Sequence, residues 1–386
     1  MKILFHHRIA SKDGQYVHMS ELIRALRSLG HEVVIVGPEI MEEEYGGVAG
    51  AVDWLKRHVP SFIYELLEFG YNLPALFRIL GAIRRHSPDV VYERYNLNFI
   101  AGVLAARLTR LPLLLEVNAP LFMERSRYDG LACRPLARWT ERFSWKNATH
   151  LFPVTRVLSE IIADTGVPQE RMTVIHNGIC RSDWEQAPSR IEAKRALGLE
   201  NALVLGFSGF VREWHGMERV LDYMAREETR RDVHLLLVGD GPVRSSLEQR
   251  AKRLGLSERF TITGYVDHED VRRYVCAFDV ALQPDVVEYA SPLKIFEYMA
   301  AGCAILAPDR RNIREIVRHE SEALLFDADS SEDFGKGLAR LCEDDALRER
   351  LGRGARARLA DAGFDWVENA RRVTEIAGRC LEAGHA

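Results

Sequence analysis

Short runs of apolar residues alternate with longer stretches of helical periodicity along almost the whole chain, and this alternation limits what it can fold into. Lys2–Phe5 and Glu32–Val36 bracket the helical stretch Met19–Leu29. Asp89–Tyr92 and Leu113–Val117 are separated by Phe99–Leu108, and Leu151–Val154 and Met172–Ile175 follow. Strand, helix and strand in succession make right-handed βαβ units, with parallel strands and helices on both faces of the sheet. Between Asp183 and Asn201 the pattern pauses in a polar stretch containing Pro188, which reads as a linker and the opening of a second domain. Alternation resumes at Leu203–Ser208 and runs through His234–Val238, Phe260–Thr263, Val280–Gln283 and Ala304–Ala307. The final helical stretch, Trp366–Cys380, has no strand after it and is expected to cross back onto the first domain. The reading is an α/β chain of two doubly wound domains, 1–184 and 185–365, with 366–386 returning to the first. Ligands of such sheets bind beyond the carboxyl ends of the strands, here in a cleft between the domains.

Composition agrees with this size of fold and removes other classes. A chain of 386 residues exceeds one ordinary core. With 47% hydrophobic and 28% charged residues it is globular, and its net charge of −4 argues against a nucleic-acid binder. Six cysteines at 133, 180, 276, 303, 342 and 380 form no CxxC pair and no ligand spacing with histidine. They read as reduced thiols, and neither a metal site nor a cofactor is expected. The N-terminal MKILFHH runs into a strand without a leader pattern. The most apolar window, Leu97–Val117, is broken by Arg107, Arg110 and Pro112, so no membrane span is expected. The chain is placed in the cytoplasm, either soluble or peripheral on the membrane surface.

Four strand–turn–helix junctions in the second half could hold a ligand. Ser291-Pro292-Leu293-Lys294 opens a helix carrying Glu297 and ending near Gly302. Ser291 is expected to cap that helix and Pro292 to take its first position. The first-turn amides and Lys294 would favour an anion such as a pyrophosphate, and Glu297 could accept from vicinal ribose hydroxyls. The turn Phe207–Gly216 brings Gly209 for close backbone approach, with Arg212 and His215 as phosphate partners. Val238-Gly239-Asp240-Gly241-Pro242 is a third turn, although Asp-Gly and Gly-Pro make turns regardless of function. Gly264-Tyr265-Val266 is a fourth, where backbone could read a base edge and Tyr265 could stack. In the first half, Asp13-Gly14-Gln15 precedes a helix holding His18, and Asn118 ends the strand Leu113–Val117, with Glu124 shortly after.

In this order the junctions resemble the family-four retaining glycosyltransferases of GT-B fold, which pair two Rossmann-like domains. Leu29-Gly30-His31-Glu32-Val33 looks like that family's GHEV signature, and Val174–Ile179 looks like its VIPNGV. Val238–Pro242 is similar to its VGDGP, Gly264-Tyr265-Val266 to its GYV, and Glu297–Gly302 to the helix after its donor loop. The resemblance spans nearly the whole chain. It implies a hexosyltransferase that moves sugar with retention from a UDP- or GDP-sugar to a glycan, lipid-linked or small-molecule hydroxyl, without metal. Lys294, Arg212, Asn118 and Glu288 would serve catalysis. Gly14, Gly209, His215, Gly241, Tyr265, Val266, Ser291, Pro292, Leu293 and Glu297 would bind donor, and His18 and Glu124 the acceptor.

Three departures bear on those roles. Phe210 and His215 stand where the family usually has Arg and Lys, which shifts phosphate charge to Arg212 and Lys294. Tyr289, with Glu288 beside it, stands where the first of two glutamates is usual, and Asn118 where many relatives carry His. A nucleotide-dependent oxidoreductase fits less well, since no GxGxxG follows the first strand. A sugar-nucleotide epimerase and an inactive nucleotide-sugar-binding protein remain as alternatives. Two basic stretches lie in the first domain. Trp54–Arg85 carries Lys56, Arg57, Arg78, Arg84 and Arg85, and Arg125–Lys146 carries Arg127, Arg134, Arg138 and Arg142. They read either as solvated helix faces or as a surface for anionic lipid headgroups.

Overall fold

The computed structural model describes residues 1–9, 14–38, 59–128, 130–226 and 232–385; Asp13, Trp54, Lys56 and Arg57 lie outside these. The chain divides into two compact units, Met1–His176 with the segment from Trp366 onward, and Asn177–Asp365. The division falls ahead of the 184/185 boundary expected from the pause in periodicity. Ile179 already bridges to Asp365, and its amide donates to the Phe364 carbonyl at 3.1 Å.

In the N-terminal unit, β1 (Lys2–His6), β2 (Glu32–Val36), β3 (Val90–Arg94), β4 (Leu113–Val117) and β5 (His150–Pro153) form a parallel sheet. Its order is β2-β1-β3-β4-β5. Every residue of β3 and β4 is buried, as central parallel strands covered on both faces must be. The returning helix Trp366–His385 packs on the helix Gly14–Ser28. Met172–Ile175, expected as a further strand, contributes only the bridge Leu151↔Met172. Thr173 and Ile175 donate to Leu151 and Pro153 at 3.0 Å each, but Pro153 has no amide to donate in return.

In the C-terminal unit, β6 (Leu203–Ser208), β7 (Val233–Val238), β8 (Phe260–Ile262), β9 (Val280–Leu282), β10 (Ala304–Pro308) and β11 (Ala323–Phe326) form a second parallel sheet. Its order is β11-β10-β9-β6-β7-β8. β11 was not among the runs read from the sequence. Side-chain alternation explains the two covered faces. Leu203, Leu205 and Phe207 of β6 enter one core with Leu235 and Leu237 of β7. Val204 enters the other with Leu236 and Val238, beside the helix Leu293–Ala301. The strand order reverses between β6 and β9, so the carboxyl ends of these strands, at Ser208 and Leu282, mark the expected ligand position.

Among the described residues, the helix long and apolar enough to cross a membrane is Ser61–His86, not the window Leu97–Val117. The latter includes the helix Ala101–Thr109, buried along one side, and β4.

Candidate functional site

The turn after β6 and the start of the helix Leu293–Ala301 meet at the carboxyl edge of the C-terminal sheet. Gly209 has φ 113°, and a Cβ there would lie 3.4 Å from Lys294 Nζ, so glycine lets the lysine lie against the turn. The ammonium sits 3.8 Å above the Phe207 ring. Burial lowers the Lys294 amine to about 7, against the opposing pull of Glu297. Burial raises the Glu297 carboxyl in turn, opposed by His268, Lys294 and a 3.4 Å hydrogen bond from Ser208 Oγ. Tyr298 fixes the arrangement from beneath: its hydroxyl accepts from the Ser208 amide at 3.0 Å and donates to the Leu282 carbonyl at 3.3 Å. One tyrosine therefore ties the ends of β6 and β9 to the helix that carries Lys294 and Glu297.

His215 joins this group, though not as a charge. Its ring meets the Phe207 ring edge-on at 4.9 Å, and its Nδ1 accepts from the Arg212 amide at 3.0 Å. Burial, then the charges of Lys294 and Arg212, lower the imidazole to about 3. The ring is neutral at physiological pH with its proton on Nε2, so it can donate one hydrogen bond but does not replace the family's usual lysine cation. Arg212 is exposed, with its guanidinium 4.9 Å over the Phe210 ring.

The neighbouring turns serve this one. Gly209 donates to Val238 and Val211 to Asp240, each at 2.8 Å. A Cβ on Gly239 would approach Gly209 O to 2.3 Å, and one on Gly241 would approach Val211 O to 1.9 Å. Both glycines are thus required by the packing of one turn on another, which accounts for Gly241 without a donor contact. Gly264, at φ 74°, bridges to Gly239. Tyr265 is exposed and Val266 packs on the core; together they line one end of a groove of about 900 Å³ with Pro188 and Tyr274.

The expected cap of the helix Leu293–Ala301 needs correction. Pro292 is the N-cap and Leu293 the first helical residue, and the Ser291 hydroxyl caps nothing. It accepts instead from the Asn177 amide at 3.1 Å, while Asn177 Nδ2 donates to the Ser291 carbonyl at 2.6 Å. Asn312 holds the same loop from its other side, donating to Val287 and Ala290 at 3.0 and 2.7 Å. Asn177 stands inside the Val174–Ile179 motif, whose spacing marks it but does not reveal what it holds. Glu288 is exposed on this loop, 3.6 Å from Arg310, which also grips Asp285 at 2.9 Å. Tyr289, at the position expected of the first glutamate, is buried.

In the N-terminal unit His18 and Asn118 meet at a carboxylate that the sequence motifs did not single out. Glu116 of β4 is buried and accepts from Tyr92 at 2.7 Å, Arg94 at 2.6 Å and Asn118 Nδ2. His18 Nε2 lies 3.1 Å from its second oxygen. Burial works against ionisation, yet the charges of His18 and Arg94 and the bonds from His18 and Asn118 hold this carboxyl well below the usual range. His18 is 6% exposed and packs edge-on against Trp366 at 4.8 Å. Its Nε2 is thus engaged by Glu116 and its ring by Trp366. Gly14 is exposed at the start of its helix, and Glu124 is half-buried in the first turn of the helix Leu121–Tyr128.

The family described as "Glycosyl transferases group 1" matches residues 189–358, and "Glycosyl transferase 4-like domain" matches residues 13–178. The chain is similar to 2-deoxystreptamine glucosyltransferase of Streptomyces kanamyceticus, 27% identical over 73% of this chain and 72% of that one. It is also 27% identical to D-inositol 3-phosphate glycosyltransferase of Thermobispora bispora, over 96% of this chain and 91% of that one. Among solved structures, HepE of Anabaena in complex with UDP superposes with a TM-score of 0.77 at 19% identity, covering 98% of this chain and 100% of HepE. The two family matches together take in most of both units, and the chain belongs to the group 1 glycosyltransferases of GT-B fold.

Proposed function

We propose that this glycosyltransferase moves a hexose from a UDP-sugar to a hydroxyl group, with retention at the anomeric carbon and without a divalent ion. The observation that carries the reading is Lys294. Its amine is held over Phe207 beside Gly209, at the start of a helix whose first-turn amides face the same way as any helix N-terminus. A diphosphate placed there would meet Lys294, the backbone of the Gly209 turn and the Nε2–H of His215, with Arg212 at the rim. Glu297, one turn further along the helix, would accept from ribose hydroxyls. HepE has been solved with UDP and with UDP-glucose, which supports uridine and glucose as the first donor to test.

In the step we propose, the acceptor oxygen forms its bond to the anomeric carbon on the face from which the phosphate departs. The bond from that carbon to the phosphate oxygen breaks, and the acceptor proton passes to the departing phosphate. The charge that grows on the diphosphate is stabilised by Lys294, Arg212 and the helix amides, a preorganised field of the kind that supplies several kcal/mol. Asn118 and Glu124, beyond the carboxyl end of β4, would orient the acceptor or the transferred sugar.

Proton NMR of the product made from UDP-glucose and a polyol acceptor, with and without EDTA, tests the reading. An α-linked product formed at the same rate under both conditions is expected. A β-linked product would refute retention, and loss of turnover in EDTA would refute metal independence.

A further inference from the structure

The segment from Ser61 to His86 is apolar on the side where a surface helix should be polar. Its two helices, Ser61–Gly70 and Asn72–His86, run on through Tyr71, which is itself in the right-handed helical region. Phe62, Ile63, Leu66, Leu67, Leu73 and Phe77 are all exposed, Phe77 by 67%. At 100° per residue these six fall within an arc of about 140°. The opposite side is anchored. Ala75, Ile79 and Ile83 are buried, Glu65 accepts from the amides of Ala132 and Cys133 at 2.8 and 2.6 Å, and Asn72 accepts from those of Ile100 and Ala101 at 2.7 and 2.9 Å. The helix is thus fixed to its own unit by polar contacts on the inside and presents a contiguous apolar stripe outside, which an uncovered soluble surface avoids.

A basic stripe continues that surface. In the helix Arg134–Asn147, Arg134, Arg138, Arg142 and Lys146 recur every fourth residue and line a groove of about 600 Å³. Trp139 of the same helix is exposed and meets Phe69 edge-on at 6.4 Å, so the two stripes adjoin. Arg84 and Arg85 add exposed charge at the far end of the apolar helix. Apolar side chains flanked by cations and an aromatic ring suit the boundary between acyl chains and anionic headgroups, and they appear here although the chain as a whole carries a net charge of −4. We infer that this face of the N-terminal unit docks on an anionic bilayer, with Ser61–His86 lying in the interface and not crossing it. The mean hydropathy of 1.2 would allow a span, but the buried anchors hold the helix to the protein.

The inference is independent of the reaction proposed above. The full chain is floated with vesicles of phosphatidylcholine, alone and mixed with phosphatidylglycerol, alongside two variants, Leu67→Gln/Leu73→Gln/Phe77→Gln and Arg138→Gln/Arg142→Gln. The wild type should float with the mixed vesicles and not with the neutral ones. The apolar variant should lose flotation. The basic variant should bind about 30-fold more weakly, taking ~1 kcal/mol per cation near an anionic surface. UDP-induced thermal stabilisation should be unchanged in both variants, because the donor turns belong to the other unit. Wild-type protein that stays in solution would overturn the inference, as would variants that float equally well. A dimer in size exclusion that the apolar variant converts to monomer would assign the face to a second copy of the chain and also overturn it.

Discussion

The two units each gather charged side chains at the carboxyl edge of a parallel sheet, and they treat that charge in opposite ways. In the N-terminal unit Glu116 is surrounded by partners: His18, Tyr92, Arg94 and Asn118 all reach it. Its charge is compensated internally and its carboxyl is held low. In the C-terminal unit the Lys294 amine rests on an aromatic ring beside a neutral histidine, and burial weakens its charge. The first cluster organises a sheet edge; the second is the one that, under the proposed function, would meet an anion brought from outside. Buried charge by itself therefore does not mark a ligand site, whereas buried charge lacking a full set of partners points to one.

The contrast can be broken most forcefully at Glu116. Glu116→Ala leaves Arg94 buried without its carboxylate and should cost about 3–5 kcal/mol, read as a lower urea midpoint. The sign with pH follows from the depressed carboxyl. Its contribution is present above the ordinary glutamate value and is lost as pH falls from there toward the depressed one. A midpoint that Glu116→Ala leaves unmoved would refute the account of this cluster.

Lys294→Met should show the reverse pattern. Turnover should fall by about 10²–10³ in kcat/KM, roughly 3–4 kcal/mol, as when one preorganised charge-stabilising group is removed. The melting temperature should hold or rise, because the mutation removes an amine whose charge burial disfavours. A variant that melts lower while keeping turnover would make Lys294 structural.

A smaller effect is expected at Asn177, which touches neither cluster but holds the loop leading into the helix Leu293–Ala301. Asn177→Ala removes the side-chain bond to the Ser291 carbonyl and should cost about 1 kcal/mol, appearing mainly as a raised KM for the donor. An unchanged KM would mean that the loop keeps its shape without this anchor.

Much of the fold was legible because parallel strands read as short apolar runs, and ten of the eleven runs that stand out between helical stretches are strands. Met172–Ile175 misled because the missing Pro153 amide, not apolar content, stops a ladder from forming there. β11 was missed although it is no shorter than β5, β8 or β9. At the site, Lys294, Gly209 and Glu297 could be placed from the residues alone, since a lysine and a glutamate one turn apart at a helix start have a chemical reading. Phe207, Tyr298 and Asn312 could not. Their roles, as a cation platform, a tie between two strands and a loop anchor, depend on contacts far apart in sequence, and their residue types look like ordinary core. Glu116 was hidden likewise, within the apolar strand Leu113–Val117. That His215 is neutral could not be read from the sequence, because only the fold reveals the burial and the two cations that lower its imidazole.

The central claim is that the Lys294 amine is the group that answers the donor diphosphate. Calorimetric titration with UDP at pH 8, in two buffers of different ionisation enthalpy, tests it directly. At that pH an amine lowered to about 7 is mostly neutral, and a bound diphosphate favours its charged form. Binding should therefore take up most of one proton, and affinity should weaken as pH rises above 7, by up to about tenfold per unit. Both effects should disappear in Lys294→Met. UDP binding with no proton uptake, or binding that Lys294→Met leaves unchanged, would contradict the account.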